Sequence, residues 1–175
     1  TSGTKYTFTP VVPAAPTGLT FTSVAPTSMT LNWTDNASNE VGYLVYSSTD
    51  GVNYTWVATT AANAVSYAAS GLTSSTLYYW RVYAVSEGAV SAALSGSQTT
   101  IAPGNISCAS TGTFNWSAAA TWSGGYVPTP GDSVTISNGC TVTINTNPTI
   151  NALTVGGGTS GVLQFETTTA RTLTV

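Results

Sequence analysis

Between Gly71 and Val85 the chain reads Gly-Leu-Thr-Ser-Ser-Thr-Leu-Tyr-Tyr-Trp-Arg-Val-Tyr-Ala-Val, and few folds accommodate it. From Tyr78 onward the side chains alternate. Tyr78, Trp80, Val82 and Ala84 fall on one face, and Tyr79, Arg81 and Tyr83 on the other. A β-strand has a side-chain period of two, so one face can be buried while the other carries polar tips. Aromatic and β-branched residues suit such a half-buried pleated surface. The Gly-Leu-Thr-Ser-Ser-Thr segment before it has turn chemistry. The pattern predicts a long central strand of a sandwich, with Tyr78 as a tyrosine corner whose hydroxyl bonds back to the upstream turn.

The 175 residues suffice for one large or two small domains. Only 5% are charged, with three Lys and Arg, six Asp and Glu, and no His. Nucleic acid is therefore not expected as a partner, because counterion release needs clustered cations. An anionic membrane surface is not expected for the same reason. No run of about twenty apolar residues crosses a bilayer, so no membrane insertion is expected. No charged and apolar leader opens the chain, and Thr1 stands where a methionine would. These features are read as a mature or excised piece of something longer. Cys108 and Cys140 both lie in the last third of the chain. An even cysteine count in a Lys-poor, Thr-rich β chain suggests export, where a Cys108–Cys140 disulfide would persist. The alternative is two free buried thiols.

Residues 1–12 alternate at first, at Tyr6 and Phe8, and then meet Pro10. They read as an N-terminal extended linker or strand. Strands are then predicted from Pro16, with Leu19 and Phe21 on one face. Further strands are predicted over Ser28 to Trp33, Gly42 to Ser47, Tyr54 to Thr59, Val65 to Ala69, and Ser95 to Ile101, with Asp50-Gly51 a hairpin turn. With the Tyr78 strand they make seven, at sandwich spacing and without helical periodicity. Pro16-x-x-Leu19, Leu31-x-Trp33, Gly42-Tyr43-x-Val45, Gly71-Leu72 and Thr76-x-Tyr78-x-x-Arg81-Val82-x-Ala84-Val85 occur in that order. In them residues 13–101 resemble the fibronectin type III family. The Asp35-Asn36 and Asn39-Glu40 pairs after the Trp resemble its bacterial, secreted branch. The resemblance implies a seven-strand sandwich that spaces or presents other modules. It implies no catalytic residues and no cofactor, and the Arg-Gly-Asp tripeptide of some animal members is absent.

Beyond the Thr99–Asn105 boundary the texture changes. Trp122-Ser123-Gly124-Gly125, Val127-Pro128 and Gly131-Asp132-Ser133-Val134-Thr135-Ile136 follow closely. Ile144, Val155, Phe165 and Val175 then recur about ten residues apart, each closing a short alternating stretch. Evenly spaced short strands predict a solenoid or meander. Residues 102–175 resemble the cap and first rungs of the parallel β-helix domains in large surface proteins of Bacteroidetes-type bacteria. Trp116 and Trp122 would plug that cap. The pattern stops at Val175 with a rung open, so either the protein continues or another subunit covers that end.

Several constellations compete with these structural readings. Asp35, Asn36, Asn39 and Glu40 offer oxygen ligands for Ca²⁺, but their spacing is not an EF-hand, and a loop bonded to its own backbone explains them. No metal is expected. Glycoside hydrolysis needs two opposed carboxylates. The six acids (Asp35, Glu40, Asp50, Glu87, Asp132 and Glu166) fall in turns and loops, and without His a serine or cysteine triad lacks its usual base. Outward rings are the best contact candidates. Tyr46, Tyr79 and Tyr83, with Arg81, oppose the core face, and Trp56 lies on an edge strand. Such rings could stack on sugars or on a partner, or simply pack against a neighbouring module. Asn-x-Ser/Thr sequons at Asn32, Asn36, Asn53, Asn105 and Asn115, and an Asp132-Ser133-Val134 signal for O-glycosylation, arise easily in so hydroxyl-rich a chain.

The sequence thus predicts an all-β protein: a seven-strand fibronectin type III-like sandwich followed by a β-helix-like segment. The expected function is non-enzymatic, as a structural and adhesive segment of a large secreted or cell-surface bacterial protein, exported by the type IX route that the resemblance implies. Expected partners are neighbouring modules, other subunits, or glycans. Two other functions fit the same residues. One is a carbohydrate-binding accessory region of a carbohydrate-active enzyme. The other is a self-assembling extracellular filament subunit, joined through the Tyr6–Phe8 strand.

Overall fold

The computed structural model describes residues 9–156 and 160–175. The Tyr6–Phe8 strand lies outside the described residues. The chain divides into two compact units, Thr1–Val24 with Ser28–Thr100, and Ala25–Thr27 with Ile101–Val175.

The first unit is a two-sheet antiparallel sandwich. One sheet has the order β1-β2-β5, from Thr17–Thr22, Ser28–Thr34 and Ser66–Ser70. The other runs β4-β3-β6, from Thr55–Ala61, Gly42–Ser48 and Leu77–Ser86. Both β7 (Ala89–Val90) and β8 (Leu94–Thr99) pair with β6 on its far side. The predicted last strand is β8, which starts at Leu94 and ends at Thr99 instead of Ile101, and β7 is a further short piece separated from it. Ser91 causes the separation, since its Oγ accepts from the Ala84 N–H at 2.9 Å while its own N–H donates to the Ala84 carbonyl. That leaves the ladder occupied by a side chain where a strand residue would sit.

The alternation in β6 works as the sequence requires. Trp80, Val82 and Ala84 are buried, and they meet Met29, Leu31 and Trp33 of β2 and Tyr43 and Val45 of β3 in one core. Full burial of side chains of this size contributes about 1.5–3 kcal/mol each. The Tyr78 hydroxyl accepts from the Thr73 N–H at 2.9 Å, so the predicted tyrosine corner is present. Thr100 pins the same turn, accepting from the Thr76 N–H and donating to the Thr73 carbonyl. Gly96 on β8 is dictated by a close approach: a Cβ there would lie 2.9 Å from Leu19 Cδ2 of β1. Residues 9–16 form no strand, yet Val11 is tied to the sandwich. Its carbonyl accepts from Ser86 Oγ at 2.7 Å and from Asn39 Nδ2 at 3.3 Å. Val11 thus straps this stretch to the sandwich.

The second unit has two three-stranded sheets in which all pairs run parallel. β9 (Asn105–Ser107), β11 (Ser133–Ile136) and β13 (Ala152–Val155) form one. β10 (Gly112–Asn115), β12 (Cys140–Ile144) and β14 (Val162–Phe165) form the other. Successive strands alternate between the sheets. The ten-residue recurrence at Ile144, Val155 and Phe165 is therefore half of a repeat of about twenty residues. Alignment puts like residues in columns: Ile106, Val134 and Leu153 in one sheet, and Phe114, Val142 and Leu163 in the other. Trp116 and Trp122 are buried edge to face at 4.8 Å, and Trp122 Nε1 donates to the Trp116 carbonyl. Cys108 and Cys140 are bonded, with their Cα atoms 6.6 Å apart and a sequence separation of 32. Closing such a loop stabilises by about 3–4 kcal/mol in the chain-entropy account.

Asp132 is fully buried and organises this unit. Its Oδ1 accepts from the Gly104 N–H at 2.7 Å and from the Tyr126 hydroxyl at 3.0 Å. Its Oδ2 accepts from the Thr129 N–H and Oγ1 at 2.7 and 2.8 Å. Burial and this carboxylate push the Tyr126 hydroxyl up to about 12. Four donors converge on one carboxylate, so removing it orphans all four. Asp132→Ala is expected to lower the stability of the second unit by about 3 kcal/mol or more, and Asp132→Asn by less. Chemical denaturation followed by near-ultraviolet circular dichroism of the Trp116–Trp122 pair checks this.

Candidate functional site: the outer face of the β4-β3-β6 sheet

Four strands bring the outward side chains of the first unit onto one surface. Residues paired across a sheet share a face, with Cβ atoms about 5 Å apart. Trp56 pairs with Tyr46, Tyr46 with Arg81, and Arg81 with Ser95, making one row across β4, β3, β6 and β8. The next row joins Leu44 to Tyr83, and the row on the other side joins Ser48, Tyr79 and Ser97. The structure therefore gathers Trp56, Tyr79, Arg81 and Tyr83 on a single face. Tyr46 joins them as expected, and the hairpin adds Tyr54.

Two of the rings touch, and a third is held by Arg81. Tyr46 and Tyr83 meet edge to face at 5.7 Å. The Arg81 guanidinium lies 3.8 Å from the centre of the Tyr54 ring, in a cation–π contact. The Tyr79 ring covers Gly51, whose φ of 73° carries the tight turn. A shallow hollow of about 360 Å³ opens between Leu44, Tyr46, Tyr54, Tyr83 and Val90. Trp56 is 55% exposed at the edge, with Nε1 donating to Thr59 Oγ1. A bulge between Val45 and Tyr46 sets its register.

The β3–β4 turn that carries Tyr54 is built on Asp50. Its Oδ1 accepts from Ser48 Oγ and from the N–H groups of Val52 and Asn53, and its Oδ2 from Asn53 Nδ2. The Ser48 hydroxyl first, then the Asn53 amide and the two backbone donors, hold this carboxyl well below the usual carboxylate range. Tyr54 escaped the sequence reading. Its signal was a ring three residues after Asp50-Gly51, where a tight hairpin returns the chain over the sheet.

The other candidates are dispersed. Asp35 Oδ1 accepts from the Tyr43 hydroxyl and the Ala37 N–H. Burial, then this contact, raises the Tyr43 hydroxyl. Asn36 Nδ2 donates to the Ala15 carbonyl and Thr17 Oγ1, Asn39 Nδ2 to the Val11 carbonyl, and Glu40 Oε1 accepts from the Asn63 N–H. The loop's polar atoms thus bond backbone in four directions instead of converging on a cation. Among the described residues no group of three or more His, Cys, Asp or Glu could hold a metal. Glu166 is paired with Arg171. Ser133 of the O-glycosylation signal sits half-buried in a parallel ladder, with Oγ accepting from Asn151 Nδ2. No helix among the described residues is long and apolar enough to cross a membrane.

Residues 14–97 match the fibronectin type III domain family, and that part of the chain is a fibronectin type III domain. No curated protein matches the sequence. Among solved structures, the fibronectin type III domain of human collagen XX is 28% identical, covering 55% of this chain and all of that one, with a TM-score of 0.46. A two-domain fibronectin type III segment of chicken tenascin is 16% identical over 51% of each chain, with a TM-score of 0.48. A β-1,2-glucanase from Parabacteroides distasonis is 23% identical over 51% of this chain and 13% of its own, with a TM-score of 0.46.

Because the Asp50 carboxyl is held low, its turn bonds are present above the ordinary carboxylate range and are lost only as pH falls through the depressed value. A carboxyl-carbon NMR titration is expected to leave the Asp50 resonance unmoved from about pH 5 to about pH 3, with the Tyr54–Arg81 contact intact. A midpoint near pH 4 would contradict it.

Proposed function

We propose that the chain is a non-enzymatic structural and adhesive segment of a large secreted or cell-surface protein. In it a fibronectin type III sandwich leads into the first coils of a parallel β-helix. Fibronectin type III domains are commonly structural or adhesive modules. The β-helix reading is supported by parallel pairing in both sheets, by the Ile106–Val134–Leu153 and Phe114–Val142–Leu163 columns, and by the parallel bridge from Thr149 to Thr174. The bacterial source and the type IX route rest on the sequence resemblance alone.

The observation that carries the extracellular reading is the bond between Cys108 and the fully buried Cys140, in a chain of hydroxyl-rich, nearly uncharged β structure. Such a bond persists in oxidising compartments and is rare where thiols are kept reduced. Each acid with a described partner is engaged inside the fold: Asp35 with Tyr43, Glu40 with Asn63, Asp50 in its turn, Asp132 in its four-donor cage and Glu166 with Arg171. That use fits a scaffold. Antibody against the chain is expected to label intact, unpermeabilised producing cells or to detect the protein in their medium, with both cysteines resistant to alkylation. Confinement inside the cell with both thiols alkylated would overturn the proposal.

One observation favours a second reading, glycan binding by the first unit. Trp56, Tyr46, Tyr79 and Tyr83 share one face, Tyr46 and Tyr83 meet edge to face, and Tyr54 lies over Arg81 beside them, which offers aromatic surface for sugar rings to stack on.

A further inference from the structure

We propose that the outer face of the β4-β3-β6-β8 sheet binds an anionic polysaccharide, with Arg81 pairing a sugar carboxylate while the surrounding rings stack on the sugars. The proposal rests on the glycan reading and narrows it to one charge class.

The whole chain has three cationic side chains, and one of them, Arg171, is paired with Glu166. Arg81 has no carboxylate within ion-pair distance and no hydrogen-bond acceptor among the described residues. Its guanidinium is nevertheless held. It lies 3.8 Å from the Tyr54 ring centre, in the row that joins Trp56, Tyr46 and Ser95. The Tyr54 ring uses none of the guanidinium's five N–H donors, which remain available to an acceptor. A planar fork of donors fixed in this way matches a carboxylate bidentately. An ordinary solvated arginine would have to lose rotamer freedom to do the same, whereas Arg81 is already ordered by Tyr54.

The surroundings select the rest of the ligand. On either side of Arg81 in the rows of β6 stand Tyr79 and Tyr83, and Tyr46 and Trp56 extend the surface to the sheet edge. The hollow among Leu44, Tyr46, Tyr54, Tyr83 and Val90 is shallow, so it suits a flat, extended occupant that lies along the sheet instead of a compact molecule that would be engulfed. Sugar rings present apolar C–H faces to aromatics and hydroxyls at their rims, and Ser95, Ser97 and Thr59 stand on the adjoining strands. The Asp50 carboxylate, at the turn end of this surface, is consumed by Ser48, Asn53 and two backbone N–H groups. It is not available to Arg81. A uronic-acid polymer supplies all three features the face asks for: rings to stack, hydroxyls to bond, and a carboxylate for the one cation.

The test uses the whole chain and isothermal titration with polygalacturonate and with a neutral galactan of similar length. With one cation the face can pair a single carboxylate and not a run of charges, so polygalacturonate is expected to bind with only a shallow loss as salt rises, and the galactan to bind at least about tenfold more weakly. Arg81→Gln is expected to reduce polygalacturonate affinity about tenfold and the weak galactan binding by clearly less. Trp56→Ala is expected to reduce both. Melting of each variant near the parent temperature confirms that the sheet is intact. Equal binding of both polymers, insensitive to Arg81→Gln, would overturn the anionic inference and leave the glycan reading standing. Binding of neither polymer would overturn both. Polygalacturonate binding that survives both substitutions would place the site elsewhere and overturn the proposal. Self-association of the chain abolished by Trp56→Ala, without glycan binding, would assign the face to a second copy and overturn it as well.

Discussion

Burial of one side of β6 is the interaction on which the first unit depends. Trp80, Val82 and Ala84 lie between the sheets because every second residue of a strand points the same way. The same rule sends Tyr79, Arg81 and Tyr83 to the opposite side without choice. The strand cannot slip by one residue, since that would place Arg81 in the core and Trp80 in solvent. The stability of the fold and the composition of its outer face are thus set by one register. The tyrosine corner at Tyr78 and the Thr100 clamp hold that register at the strand's entry.

The second unit meets the same constraint differently. Its strands are short and parallel, so no single strand buries enough to stand alone. Alignment into columns, such as Ile106 with Val134 and Leu153, lets like side chains pack above one another. The segment from Tyr126 to Asp132 then needs an anchor, because its backbone has no ladder to join. Asp132 supplies it by taking four hydrogen bonds inside the fold. A buried charge is costly unless it is fully bonded, and this one is.

The periodic features were legible in the sequence because periodicity is what burial acts on. The face assignment of β6 and the tyrosine corner followed from alternation and turn chemistry. The gathering of Trp56, Tyr79, Arg81 and Tyr83 was implied by their outward positions, but needed the pairing register to become one surface. What escaped were features made by side chains acting across the chain. Ser91 separates β7 from β8 by bonding Ala84, Val11 is strapped to Ser86 and Asn39, and Tyr54 reaches Arg81 through a turn built on Asp50. None has a local sequence period, since each depends on a partner that only the folded chain brings near. Asp132 read as part of a motif, and its role appeared only with its four donors.

The central claim is that β6 divides its work by face, with the inward side chains carrying stability and the outward ones left for contact. Denaturant titration of alanine variants along the strand tests it most directly. Trp80→Ala is expected to cost about 3–5 kcal/mol, and Tyr79→Ala and Tyr83→Ala about 1 kcal/mol or less, with native-like circular dichroism in the latter two. Losses at Tyr79 and Tyr83 as large as at Trp80 would mean that the outer face is itself a structural core and would contradict the account.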